Sequence, residues 1–271
     1  MTTNLTSDVP PWGRYVAIGD SLTEGMVDPD PTDPERQRGW ADLLAATLSR
    51  RRLAAGEAPL EYANLAVRGR LLGQILTEQL PVARGLRPDL VSLIGGGNDI
   101  LRPGSDVERL LGLLEDAVAT LRAEGVTVLM GTGFDPAGSP VVRLTRSKVA
   151  LFNAGVWSIA HRHGAHVLDA WGMRSLRDWR MWAEDRIHLS TAGHERAAQA
   201  ALVGLGLAPD DPAWDDPLTP LPPAARAERW RENLRWARTY AYPWVQRRLR
   251  RQSSGDLRRA KYPQPVVLEP R

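Results

Sequence analysis

The chain contains no cysteine in 271 residues. That removes disulfides, thiol nucleophiles and thiolate metal ligands, and it fits a reducing compartment. No stretch approaches the roughly 20 consecutive apolar residues of a membrane-spanning helix. The opening MTTNLTSDVPPWGRY lacks the basic start and the apolar run of roughly 7 to 15 residues that mark a secretory signal. A cytoplasmic protein is therefore the expectation, with export as a processed mature form left open. Internal repeats and low-complexity tracts are also missing, apart from arginine-rich stretches near the C-terminus. Hydrophobic residues at 43% and charged residues at 25% match ordinary soluble domains, which excludes disorder or a fibrous repeat as the starting assumption.

The charge is unevenly placed. The net +3 hides a segment, residues 221–262, with 12 Lys or Arg against 3 acids, while the first 220 residues carry a net −6. Basic character belongs to the tail and not to the body of the chain. Between them lies APDDPAWDDPLTPLPP, residues 208–223, with six prolines and four aspartates. Proline at that density cannot continue a helix, so the stretch reads as a linker. Three parts follow: 1–207 as the main domain, 208–223 as linker, and 224–271 as a basic, aromatic helical extension. In the extension, Trp230, Leu234, Ala237 and Ala241 fall on one helical face, and WVQRRLRRQ reads as a second short helix.

From Arg14 to about Leu207, short β-type apolar runs alternate with helical periodicity, the pattern of βαβ units and a parallel sheet. Strands are expected at 15–19, 60–66, 89–95, 126–131 and 165–170. Helices are expected at 39–53, 71–80, 105–125 with Ser105 as cap and Gly125 as stop, 145–164, and from about Ser190. The expected fold is an α/β three-layer sandwich with a flavodoxin-like, doubly wound parallel sheet of about five strands and a C-terminal helical arm. Its ligands bind at the carboxyl ends of the strands, near the point where strand order reverses.

The first strand runs directly into Asp20-Ser21-Leu22-Thr23-Glu24-Gly25, placing a serine in such a loop. A following helix would aim unpaired backbone N–H groups toward an oxyanion formed there. By itself Gly-Asp-Ser is more often a helix cap than a nucleophile.

Three further blocks change that. Asn64-Leu65-Ala66-Val67-Arg68-Gly69-Arg70 follows the second strand, Gly96-Gly97-Asn98-Asp99 follows the third, and Asp185-Arg186-Ile187-His188-Leu189-Ser190 precedes the last helix. With Gly-Asp-Ser-Leu, these four blocks in this order resemble the GDSL, or SGNH, hydrolases over residues 14–205. The resemblance implies Ser21 as nucleophile, His188 as its base and Asp185 as the group orienting His188. It also implies an oxyanion hole from the Ser21 and Gly69 N–H groups and the Asn98 amide. No cofactor or metal is called for. Arg68 and Arg70, where no small hydroxyl residue flanks Gly69, are candidate marks of substrate preference.

Other candidates carry less. His161, His163 and His166 straddle a helix end without ligand-spaced acids. His194 and Glu195 open the last helix and suit capping or surface roles. Gly131-Thr132-Gly133 is too short for a nucleotide site. Asp28, Asp30, Asp33 and Glu35 read as a solvated loop.

The expectation is a serine-dependent carboxylic-ester hydrolase acting through an acyl-enzyme on small or lipid-like acyl esters. Rival readings are a non-catalytic membrane- or nucleic-acid-binding module using the arm, and an acyltransferase or carbohydrate deacetylase on the same triad. The arm's Trp and Tyr residues suit packing on the acidic body first, and an anionic membrane surface second. Nucleic acid is the least favoured partner.

Overall fold

A computed structural model describes residues 9–138, 142–222, 226–243, 255 and 257–268. In chain order the elements are β1 (Arg14–Gly19), α1 (Ser21–Glu24), β2 (Pro29–Asp30), β3 (Asp33–Gln37), α2 (Gly39–Ala54), β4 (Glu61–Asn64), α3 (Leu72–Gln74), α4 (Leu80–Gly85), β5 (Leu90–Ile94), α5 (Gly97–Ile100), α6 (Val107–Ala123), β6 (Thr127–Gly131), α7 (Arg146–His163), β7 (His166–Leu168), α8 (Thr191–Gly204), α9 (Arg226–Trp236) and β8 (Tyr262–Val267).

The main sheet has the order β7-β6-β5-β1-β4-β8. Strands β4, β1, β5, β6 and β7 are mutually parallel, and β8 pairs antiparallel with β4. The five parallel strands follow the flavodoxin-like order expected from the sequence, and the order reverses between β1 and β5. Alternation of side chains along β1 sends Tyr15 and Ala17 into one core and Val16 and Ile18 into the other. The first core is closed by Trp40, Leu44 and Leu48 of α2 with Ala197, Ala201 and Leu202 of α8. The second is closed by Leu114, Val118 and Leu121 of α6 with Phe152, Val156 and Ile159 of α7. Helices thus cover both faces, as an all-parallel inner sheet demands. Among the described residues no helix is long and apolar enough to cross a membrane.

Several expected boundaries move. The helix expected over 71–80 passes through a π-helical turn, Ile75–Gln79. Pro81, near the start of α4, has no N–H to return to the preceding turn, which accounts for the wider winding. Helix α6 is capped by Asp106, whose carboxylate accepts from Arg109 N at 3.1 Å. The expected cap, Ser105, is instead bonded to Ile100 O at 3.3 Å, while Gly125 ends the helix as expected, with φ 80°.

The tail departs most from expectation. β8 is a sixth strand, formed by residues read from the sequence as part of a helical arm. In α9 the anticipated apolar face is turned: Trp230 is 66% exposed and Trp236 only 8%. A π-helical turn over Ala237–Ala241 follows. The second short helix of the arm falls outside the described residues.

Lys261, immediately before β8, is what fastens the new edge. Its Nζ pairs with Asp42 of α2 at 2.8 Å and donates to Glu24 O at 2.8 Å and Gln37 O at 3.0 Å. Asp42 also accepts from Tyr62 Oη at 2.8 Å. Burial raises the Asp42 carboxyl and lowers the Lys261 ammonium from their ordinary values, so each ion depends on the other for compensation. Lys261→Met leaves Asp42 buried without its counter-ion and is expected to cost about 3–5 kcal/mol. Urea denaturation of the full chain checks this; a loss below about 1 kcal/mol would show that the pair is not a clamp.

Candidate active site

The site is assembled from the carboxyl ends of β1 and β5 and the segment before α8. Ser21 is the first residue of α1, directly after β1. Asp20 caps that helix, its carboxylate accepting from Leu22 N at 3.2 Å. The end of α1 can lie against the start of α2 only because two glycines cross backbone on backbone. A Cβ on Gly39 would stand 2.3 Å from the Gly25 Cα, and both residues take left-handed φ, 81° and 88°.

His188 Nε2 lies 3.0 Å from Ser21 Oγ, and His188 Nδ1 lies 2.6 Å from Asp185 Oδ2. A carboxylate only accepts, so the Nδ1 proton sits on the Asp185 side, leaving Nε2 to accept from the serine hydroxyl. Asp185 Oδ1 accepts from Ile187 N at 2.9 Å and His188 N at 3.0 Å. Burial raises this carboxyl, but the hydrogen bond and charge of His188 and the two backbone donors outweigh it, holding it below the usual carboxylate range. The tight loop forces Arg186 to φ 57°, a conformation that costs a non-glycine residue about 1–3 kcal/mol.

Asn98, in α5, donates from Nδ2 to Arg70 O at 3.1 Å and to Asp20 Oδ2 at 3.2 Å. Burial pushes the Asp20 carboxyl up to about 6. A cavity of about 590 Å³ opens beside Ser21, Asn98 and His188, and its walls are largely apolar, with Ile94, Ile100, Phe134, Phe152, Leu176 and Trp182 prominent. Gly69 is not among the cavity-lining residues. Its turn, with φ 76°, is tied to α1 by Glu24, which accepts from Arg68 N at 2.6 Å and Arg68 Nε at 2.8 Å. Arg68 and Arg70, read as marks of substrate preference, are instead paired with Glu24 and with Glu78 and stand outside the cavity wall.

The GDSL-like Lipase/Acylhydrolase family matches residues 17–196. The chain belongs to this family. No curated protein matches the chain. Among solved structures, LAE5, an alpha/beta hydrolase enzyme from the metagenome of Lake Arreo, Spain, is similar at 23% identity with a TM-score of 0.59, over 72% of this chain and 95% of its own. TesA is similar at 23% identity and a TM-score of 0.55, over 71% and 97%. Axe2, an acetylxylan esterase from Geobacillus stearothermophilus, has 20% identity and a TM-score of 0.59, over 74% and 97%. At these identities the likeness is one of fold.

Within this GDSL-family scaffold, several residues matter that the sequence reading passed over. Asp28, read as part of a solvated loop, is fully buried. It accepts from Arg38 Nε at 3.0 Å, Gly39 N at 2.9 Å and Thr191 Oγ1 at 2.8 Å, tying the start of α2 to the start of α8. His194, assigned a capping or surface role, is 0% exposed, with Nδ1 3.2 Å from Trp40 N and Nε2 3.3 Å from Met26 O. Gly131-Thr132-Gly133, dismissed as a nucleotide motif, lines the cavity. Of the histidine cluster, His163 meets Glu115 at 2.9 Å and His166 meets Gly204 O at 2.9 Å; no metal-holding group of side chains occurs among the described residues.

Burial pushes the His194 imidazole from 6.5 down to about 4. The unfolded chain therefore takes up a proton that the native state refuses, so this contribution to stability is complete above pH 6.5 and drains away as pH falls toward 4. His194→Gln is expected to flatten the fall of Tm across that interval relative to wild type. Parallel Tm-against-pH curves for the two proteins would contradict it.

Proposed function

We propose that this GDSL-family protein is a serine-dependent carboxylic-ester hydrolase that works through an acyl-enzyme on small or lipid-like acyl esters. The observation that carries the reading is the continuous hydrogen-bond chain Asp185–His188–Ser21, with Nε2 3.0 Å from Oγ, facing an apolar cavity of about 590 Å³.

In this reading Ser21 Oγ bonds to the acyl carbon while its proton passes to His188 Nε2. The charge that develops on the imidazole is balanced by the Asp185 carboxylate. The tetrahedral intermediate collapses, the carbon–oxygen bond to the alcohol breaks, and His188 returns the proton to the leaving oxygen. Water then gives its proton to His188 and adds to the acyl carbon; the bond to Ser21 breaks, releasing the acid and restoring the hydroxyl. The oxyanion takes donors from the Ser21 N–H and from Asn98, whose N–H now on Asp20 changes partner, while Gly69, expected as a third donor, keeps that role only as an expectation because it does not line the cavity. Each donor is worth about 3–4 kcal/mol in comparable sites. The apolar walls suit an acyl chain, since each buried methylene contributes about 0.8 kcal/mol.

Two measurements on p-nitrophenyl esters of graded acyl length test this. Ser21→Ala is expected to abolish turnover, and Asp185→Asn to lower kcat by a factor on the order of 10⁴, because the imidazole loses its oriented tautomer. Equal activity of wild type and a folded Ser21→Ala protein would sink the nucleophile. kcat/KM is expected to rise from acetate toward octanoate; a maximum at acetate with steady decline would remove the lipid-like acyl class.

A further inference from the structure

Helix α9 and the π-helical turn that continues it, Ala237–Ala241, lie beyond the family match, which ends at residue 196, yet they are built onto the catalytic segment. Trp236 Nε1 donates to Asp185 O at 3.0 Å, Tyr240 Oη donates to Glu184 at 2.8 Å, and Arg186 Nη1 donates to Asn233 Oδ1 at 2.6 Å. The Arg186 guanidinium is held between two indoles, 5.7 Å from the Trp179 centroid and 5.2 Å from that of Trp236. The strained residue inside the Asp185–His188 loop is thus fixed from outside by the added helix.

Between α9 and this segment is a second cavity of about 760 Å³, within the roughly 300–1,000 Å³ of small-molecule sites. It shares Gly138, Trp179, Trp182 and Arg186 with the cavity that contains Ser21, so the two adjoin along that wall. Their chemistry differs. The first is mainly apolar. The second combines the rings of Trp236 and Tyr240 with Glu232, Arg235 and Thr239. Its charged lining is two acids, Glu184 and Glu232, against two arginines, Arg186 and Arg235, which gives no net charge. A balanced wall does not select for a phosphate or a quaternary ammonium. It offers donors and acceptors together beside aromatic faces, which suits an uncharged, hydroxyl-rich group.

We propose that α9 completes a leaving-group subsite: the acyl chain of the ester occupies the apolar cavity at Ser21, and a neutral polyhydroxylated alcohol occupies the chamber walled by α9. This rests on the ester-hydrolase reading. α9 belongs to a tail that also supplies β8 and Lys261, so the test uses point variants of the full chain and not a truncation.

The experiment compares pH-stat rates on two esters of the same acid, methyl octanoate and 6-O-octanoylglucose, with octanoylated glycerol phosphate as a charged third. Wild type is expected to favour the glucose ester in kcat/KM by at least about tenfold, a difference of about 1.4 kcal/mol. Glu232→Ala/Arg235→Ala removes hydrogen-bonding walls from the exposed side of α9, and Thr239→Trp fills the chamber. Each is expected to lower kcat/KM for the glucose ester at least fivefold more than for the methyl ester, with circular dichroism unchanged. Cleavage of both esters by wild type with a ratio that neither variant moves would overturn the subsite and leave the hydrolase intact. Preference for the methyl or the phosphate ester would overturn the proposed alcohol class. Cleavage of none of the three would bring down the hydrolase reading, and the subsite with it.

Discussion

A serine hydroxyl and an imidazole separated by 167 positions in the chain are held 3.0 Å apart, and most of the scaffold can be understood as what that separation requires. A hydrogen bond weakens steeply with misalignment, so the loop after β1 and the segment before α8 must be fixed to a common frame. The reversal of strand order between β1 and β5 opens the crevice. Buried Asp28 then joins the two sides, bonding to Arg38 and Gly39 at the start of α2 and to Thr191 at the start of α8. Fully buried, it is held below the usual carboxylate range: burial raises it, but Arg38 and its other donors outweigh that. His194 fills the space beside it as a neutral ring, bonded to backbone groups of Trp40 and Met26.

The same logic governs several other buried polar groups near the loop after β1. Glu24 holds the Gly69 turn through Arg68, and Lys261 joins the end of α1 to the end of β3 through Glu24 O and Gln37 O. Ions placed away from water are stable only when paired and hydrogen-bonded, so each such group is also a constraint on geometry. Asp20 is the exception in kind. It caps α1 and meets Asn98, yet burial lifts its carboxyl to about 6, which places its charge change within reach of physiological pH.

The backbone strain at Arg186 belongs to this account. Asp185 must accept from both the ring and the main chain of a histidine three residues on, and the loop that permits this puts a bulky residue at φ 57°. Such a conformation persists where the surroundings over-determine it. Here they include stacking on Trp179 and Trp236 and a bond to Asn233, two of them supplied by the tail. The segment outside the family match is therefore coupled to the Asp185–His188 loop inside it.

What the sequence by itself determined was local. The alternation of β and helical periods, the Gly-Asp-Ser turn, the helix start near Ser190 and the three-residue spacing of Asp185 and His188 are properties of neighbouring residues, whose hydrogen bonds and periodicities are set within a few positions. The five parallel strands and their order followed from that pattern together with the family resemblance. What only the tertiary structure decided was which distant groups share a desolvated space. Asp28 looked like one acid among four in an exposed loop, and nothing nearby in the chain distinguishes it; it is buried because Arg38 and Thr191 arrive from α2 and α8. Trp236 rather than Trp230 became the buried indole because Asp185 O offers it a partner. Tyr262–Val267 became a strand because β4 presented an open edge and Lys261 found Asp42. Pairing and burial at long range depend on where surfaces meet, and a local pattern carries no record of that meeting.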